Sequence, residues 1–446
     1  MNFVSDDWIR ASLTGRLIGS LASWKESSWV WRWSKPLGAL LLALVLGLAP
    51  FVSNGIVGLL LVGVGFFWLV LTLCEREKID SGGIAQLVFL YWAIATVATA
   101  FSPVKTAALD GWIKLTLYLM MFALSAQVLR SPRLCSWLIT IFLHTSLIVS
   151  IYGVRQRIFG ADALATWNDP DSPLAQSTRV YSYLGNPNLL AGYLLGAIAL
   201  SLGAIFVWRG WWGKALAVTI FVLNSACLYF TSSRGGWLAL AGLLVTFFCF
   251  LYYWYFQFLP QWGRLWIIPI VPSAIALTGT IAFFRVESLR LRLLSIFAGR
   301  EDSSNNFRLN VWGAVIEMIR DYPILGIGPG NQAFNEIYPL YMRPNFTSLG
   351  AYSIYLEMTV EMGLIGLASF LVLIATIFYR GLTNLQRLNL TRCVRGFWLM
   401  GAMAGLVGML VQGLVDVIWY RPQVNTIWWF LVAIVASFGV ITPSRD

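Results

Sequence analysis

Arg234 stands in TSSRGGWLAL (Thr231 to Leu240), preceded by hydroxyls and followed by two glycines at the mouth of an apolar run. An arginine beside a membrane span is costly, so it meets a partner, a water-filled cavity or the headgroups. Its planar guanidinium suits a carboxylate, phosphate or bicarbonate, which it grips through two parallel N–H donors. Arg308 lies in a second segment, SNNFRLNVWGAVIEMIRDYPILGIGPGN (Ser304 to Asn331), which turns polar in an otherwise apolar chain. There Phe307, Val311, Trp312, Val315, Met318 and Ile319 recur at helical spacing, which predicts an amphipathic helix over 307–321. Asn305 or Asn306 is the candidate N-cap, and Tyr322-Pro323 stops the helix, because proline disfavours helical geometry in the residue before it. Such a helix lies on the membrane surface or caps a cavity between spans. Gly326, Gly328 and Gly330 then permit positive φ or close backbone approach, as an anion-binding nest of N–H groups or as a plain turn.

Carboxylates within apolar runs are few. Asp110 and Lys114 are four apart, the spacing of an internal helix pair. Glu357 and Glu361 share one face of GAYSIYLEMTVEMGLIG (Gly350 to Gly366), where two acids can relay protons, bind a cation or pair internally. Asp416 and Arg421 stand near each other in VDVIWYRP and are expected to pair. His144 is the single histidine and sits inside an apolar run, so a His-rich metal site is excluded. The five cysteines form no CxxC pair, and there is no Walker lysine loop, HExxH or G-x-S-x-G. No metal or cofactor is implied.

These residues must be held by membrane helices. Of 446 residues 58% are hydrophobic and 11% charged, with a mean hydropathy of +0.72, whereas a soluble chain carries about a quarter charged residues. Continuous apolar runs of about 20 residues exclude barrel strands and predict an all-α polytopic membrane protein. About twelve spans are expected, including a ninth over Leu265–Phe284, a tenth over Tyr352–Tyr379 and an eleventh over Gly396–Val417. The net charge of +11 is spread over loops between spans, as a positive-inside signal and not as a nucleic-acid surface. Loop arginines and lysines alternate onto the side of the N-terminal tail, which places both termini in the cytoplasm. Residues 1–36 are then a cytoplasmic or interfacial segment, with tryptophans at headgroup level between Trp24 and Trp33 and no cleavable signal peptide. Residues 37–284 hold the first nine spans, with an external loop near 155–187. Residues 285–351 form a large periplasmic loop, and 352–446 the last three spans with a short cytoplasmic tail.

TSSRGGWLAL, then Arg308-xxx-Trp312 leading to Pro323-Ile-Leu-Gly-Ile-Gly328, then YSIYLEMTVEMGLIG, resemble in order the landmarks of the O-antigen ligase/polymerase superfamily. That resemblance implies a GT-C-type architecture of about twelve spans, a large periplasmic loop between the ninth and tenth, and glycan transfer from undecaprenyl diphosphate. RVYSYLGNPNLLAGY (Arg179 to Tyr193), SIFAGREDSSNNFRLNVW (Ser295 to Trp312), LGIGPGNQAFNEIYPLY (Leu325 to Tyr341), FWLM (Phe397 to Met400), YRP (Tyr420 to Pro422) and a LATWND loop are similar to the IctB bicarbonate-transporter family of cyanobacteria. This second resemblance covers nearly the whole chain and implies a role in inorganic-carbon accumulation at the bacterial plasma (inner) membrane.

Together the resemblances assign Arg234 and Arg308 to an anion- or diphosphate-binding periplasmic vestibule, lined further by Tyr352, Tyr355 and Arg179. Glu361, Asp416 and Arg421 are the candidates for coupling or pairing. The ligase histidine falls on Tyr352, and a phenol with a pKa near 10 is a poor base at neutral pH. The expected function is a bicarbonate transporter acting in inorganic-carbon accumulation; the alternatives are a glycosyltransferase moving a glycan from a polyprenyl-diphosphate carrier and a non-catalytic carbon-uptake subunit. The implied partners are the lipid bilayer and either a small anion or a lipid-linked glycan, with no nucleic acid.

Overall fold

A computed structural model describes residues 33–74, 83–162, 164, 179–285 and 287–439. The tryptophan-rich segment before Trp33, the basic loop at Arg76 and Lys78, most of the LATWND loop and the C-terminal tail lie outside the described residues. Fifteen α-helices account for the fold and no strand is present among the described residues. They are α1 Ser34–Leu48, α2 Asn54–Cys74, α3 Ile84–Ala100, α4 Lys105–Val128, α5 Pro132–Phe159, α6 Pro187–Val207, α7 Gly210–Phe230 and α8 Arg234–Tyr255. There follow α9 Gln261–Arg285, α10 Glu287–Phe297, α11 Ser303–Asp321, α12 Asn331–Ile337, α13 Ile354–Leu390, α14 Gly396–Gln412 and α15 Pro422–Ser437. Seven of these are long and apolar enough to cross a membrane, and α1, α3, α14 and α15 are shorter apolar helices. With α9, each of the twelve expected spans has a helix. This is a polytopic all-helical membrane protein.

The bundle is organised around α6. Its apolar window is 78% buried, against 28–50% for the other six long helices, so α6 is the element that meets protein on every side. It packs on α7, α8, α14 and α15. Two helix starts at one end of the bundle are fixed by local chemistry. Asn186 caps α6, its side chain accepting from the Asn188 and Leu189 amides, with Pro187 in the first turn. Ser233 caps α8 by accepting from the Gly236 amide. The same capping logic presents Asn188 and Arg234 at that end.

The long connection between α9 and α13 has an apolar core of its own, shared with the bundle. Val311, Val315 and Met318 of α11 pack with Ile327, Phe334, Ile337 and Tyr338, against Ala107 and Ala108 of α4 and Val360 of α13. These α11 positions are those of the apolar stripe expected from spacing, and α11 ends at Asp321, before Tyr322-Pro323, as expected. The N-cap differs. Asp302, not Asn305 or Asn306, accepts from the Asn305 amide, so the helix begins at Ser303.

The tenth expected span is broken. At Gly363, φ is +66° and ψ −172°, inside α13. The break frees backbone groups, and the glycine-rich turn satisfies them. Ile327 N donates to Val360 O (2.9 Å), Gly328 N to Glu361 O (2.9 Å), and Leu364 N to Pro323 O (2.8 Å). Irregular backbone at membrane depth persists only where protein buries and bonds it. The glycines are therefore a docking strip: a Cβ on Gly363 would stand 2.0 Å from Ile324 O, and one on Gly330 would stand 2.5 Å from Gly111 Cα.

Candidate functional site

Arg179, Arg234, Arg292 and Arg308 line one cavity of about 670 Å³, together with Asn188, Asp302, Trp312 and Asp416. The walls come from the start of α6, the start of α8, α10, the first turns of α11 and the segment just past α14. Each guanidinium is braced. Arg234 donates from Nη1 to Ser295 O (3.0 Å) and Oγ (2.9 Å) and from Nη2 to Asp302 Oδ1 (2.9 Å). Arg308 donates from Nε to Val415 O (2.9 Å) and from Nη1 to Ser304 Oγ (2.6 Å). Arg179 donates from Nε to Thr231 O (3.0 Å) and from Nη2 to Asn188 Oδ1 (3.2 Å). Arg292 is the least tied, with a single Nε contact to Ser232 O at 3.3 Å and no hydrogen bond from its terminal nitrogens among the described residues.

Electrostatics follow from crowding. Burial first, and then the like charges of Arg292, Arg234 and Arg308, push Arg179 down to about 9. Burial and then Arg234 push Arg292 down to about 10. Asp416 lies past the end of α14, where burial raises its proton affinity while Arg308, the Val417 amide, Arg179 and Asn188 oppose the rise. A set of cations held together against their own repulsion gains most from an incoming anion.

The structure gathers part of the sequence-derived set. Arg179, Arg234, Arg308 and Asp416 line the cavity, and Tyr352 sits beside it, its ring centroid 5.7 Å from Arg308 Cζ. Burial raises the Tyr352 phenol further above its ordinary value, which keeps it protonated and leaves no phenolate to act as a base at neutral pH. Tyr355 lies elsewhere: its hydroxyl donates to Leu410 O (3.3 Å) and it packs on the bundle core. The expected Asp416–Arg421 pair does not form. Arg421 instead stacks over the Tyr420 ring at 5.5 Å, because a short 3-10 turn over Ile418–Tyr420 separates the two and Asp416 turns towards Arg308 and Arg179.

Nor do the other charged groups converge on the cavity. Glu361 Oε1 accepts from Gly330 N (2.8 Å) and Glu357 Oε2 from Ala351 N (2.5 Å), so the two carboxylates fasten the middle and the end of the connection to α13. The amides of Gly328 and Gly330 are thus taken by α13 and Glu361, and the turn is no nest for an external anion. Asp110 and Lys114 pair at 2.5 Å as spacing implied. His144 lies on an exposed face of α5 with Nδ1 2.7 Å from Thr140 O. Sequence reasoning missed Arg292, Asp302, Asn188 and Trp312. The connection's arginines gave a general signal, but only the facing of α10 separates Arg292 from Arg290, which pairs with Glu287 at 3.8 Å.

One comparison bears on this geometry. Residues 219–371 match the family described as O-antigen ligase (Wzy_C). The matched stretch holds Arg234, Arg292, Asp302, Arg308 and Tyr352, whereas Arg179, Asn188 and Asp416 lie outside it. It supports an O-antigen ligase-like integral membrane protein. No curated protein matches the chain.

Proposed function

We propose that the chain binds a polyprenyl-diphosphate-linked glycan in the arginine cavity and transfers the glycan to an acceptor. One observation carries this reading: four guanidiniums share a cavity of about 670 Å³. That volume equals the liquid share of roughly twenty waters, far more than a small anion such as bicarbonate requires. Glu301, Asp302 and Asp416 offset three of the four cavity arginines, which leaves the lining net positive for a diphosphate diester. The ligase-family match over 219–371 agrees with a phosphate-bearing donor. On this reading the cavity faces the periplasm and the termini the cytoplasm of a bacterial inner membrane.

In such a transfer an acceptor oxygen bonds to the anomeric carbon while the bond from that carbon to the diphosphate breaks. The electron pair leaves with the diphosphate, whose charge the arginines stabilise. The acceptor proton needs a base. Tyr352, with its raised pKa, does not serve. Asp416 is the buried carboxylate on the cavity wall, and burial makes it more basic than an ordinary aspartate.

Tyr352 favours a second reading, since it stands where the ligase resemblance places a histidine. Without that base the arginines hold an anion and transfer nothing, as a bicarbonate transporter or a carbon-uptake subunit would require. Purified protein in liposomes separates the two. The first reading expects saturable binding of undecaprenyl diphosphate and glycan release from a lipid-linked donor, with no labelled bicarbonate flux. Bicarbonate flux under an imposed ion gradient, without binding of the lipid, overturns it.

A further inference from the structure

Arg234 already has an anion. Asp302 Oδ1 lies 2.9 Å from Arg234 Nη2 and 2.9 Å from Asn305 N in the first turn of α11. The pair is largely shielded, with side-chain exposures of 12% for Arg234 and 18% for Asp302. The field of Asp302 also reaches Arg292. One carboxylate thus sits between two guanidiniums and the amide end of a 19-residue helix, a setting that serves a phosphate oxygen equally well.

We propose that Asp302 is a built-in counter-anion, occupying a phosphate position on Arg234 until a phosphate-bearing donor displaces it. Asp302 keeps Arg234 and Arg292 from repelling each other and holds the start of α11 in place. Arg292, with its terminal nitrogens unbonded among the described residues, makes the first contact with the incoming phosphate. The carboxylate of Asp302 then swings off Arg234, and the phosphate takes its place. A diphosphate keeps one phosphate on Arg292 while the other displaces the carboxylate from Arg234, which a single phosphate cannot do, so Asp302 selects diphosphates over monophosphates. This inference rests on the donor-binding reading of the cavity.

Asp302→Asn and Asp302→Ser test it, because asparagine and serine cap helices about as well as aspartate. A positioning role and a counter-anion role then give opposite results. The full chain in detergent is titrated with undecaprenyl diphosphate and undecaprenyl monophosphate, and melting of each variant checks that it is folded. Removing the competing charge is expected to tighten diphosphate binding about fivefold, the equivalent of an ion pair near 1 kcal/mol. Monophosphate binding should tighten by more, narrowing the preference. Folded variants that bind the diphosphate unchanged or more weakly overturn the counter-anion role and leave the donor-binding reading standing. Wild-type protein that binds neither lipid overturns both.

Discussion

Gly363→Ala tests the joint on which the site depends. The residue holds φ +66° and ψ −172°, a region open essentially only to glycine, and forcing alanine into it costs about 1–3 kcal/mol. The added methyl would also stand 2.0 Å from the Ile324 carbonyl oxygen and 2.2 Å from its carbon, which are backbone atoms with no rotamer to yield. The 323–328 strip must therefore lift away. It carries the bonds from Ile327 to Val360, from Gly328 to Glu361 and from Leu364 to Pro323, each contributing about 1 kcal/mol. Strain and lost bonds together give a destabilisation of about 4–6 kcal/mol. Gly313→Ala is the matched control: nothing lies within 4 Å of its added Cβ, and a helical glycine replaced by alanine gains about 0.8–1 kcal/mol. Unfolding of the purified variants in a graded denaturing-detergent series, read by tryptophan fluorescence, measures both. A Gly363→Ala protein that unfolds with the wild type refutes the docking of the glycine strip on the broken helix.

Arg292→Gln is expected to weaken undecaprenyl diphosphate binding by about ten- to a hundredfold, the scale of a charge-assisted hydrogen bond. Its melting should not change, since its one bond to Ser232 O is long at 3.3 Å; calorimetric titration beside a melting curve checks both. Arg308→Ala should weaken binding and lower the melting temperature together, because it also cuts the tie from α11 to Val415 O; retained affinity refutes its place in the site. Binding should also depend on pH. Arg292 and Arg179 sit depressed near 10 and 9, and an anion favours their protonated forms. Affinity is therefore full below about pH 9 and falls as pH rises through about 9 to 10. A binding constant that stays flat to about pH 10.5 contradicts that electrostatic picture.

Local rules carried the sequence far. Hydropathy set the helices because a backbone in lipid must close its own hydrogen bonds, and each expected span finds its helix. The stripe from Val311 to Met318 fixed the buried face of α11, and proline after Tyr322 fixed its end. The Asp110–Lys114 pair followed from spacing alone, Arg234 stood out as a charge beside an apolar run, and Arg308 as the head of a polar amphipathic segment. Tertiary structure decided the rest. The break at Gly363 lies inside one continuous apolar stretch and exists because a distant strip of backbone supplies its missing partners. Glu361 looked like a proton or cation group until the fold brought the Gly330 amide to it. Arg292 and Asp302 are ordinary loop charges in the sequence, and Asp416 was matched there with its chain neighbour Arg421. A cavity assembled from residues 179 to 416 sets charge against charge across helices, and that encounter is a property of packing, which no local spacing encodes.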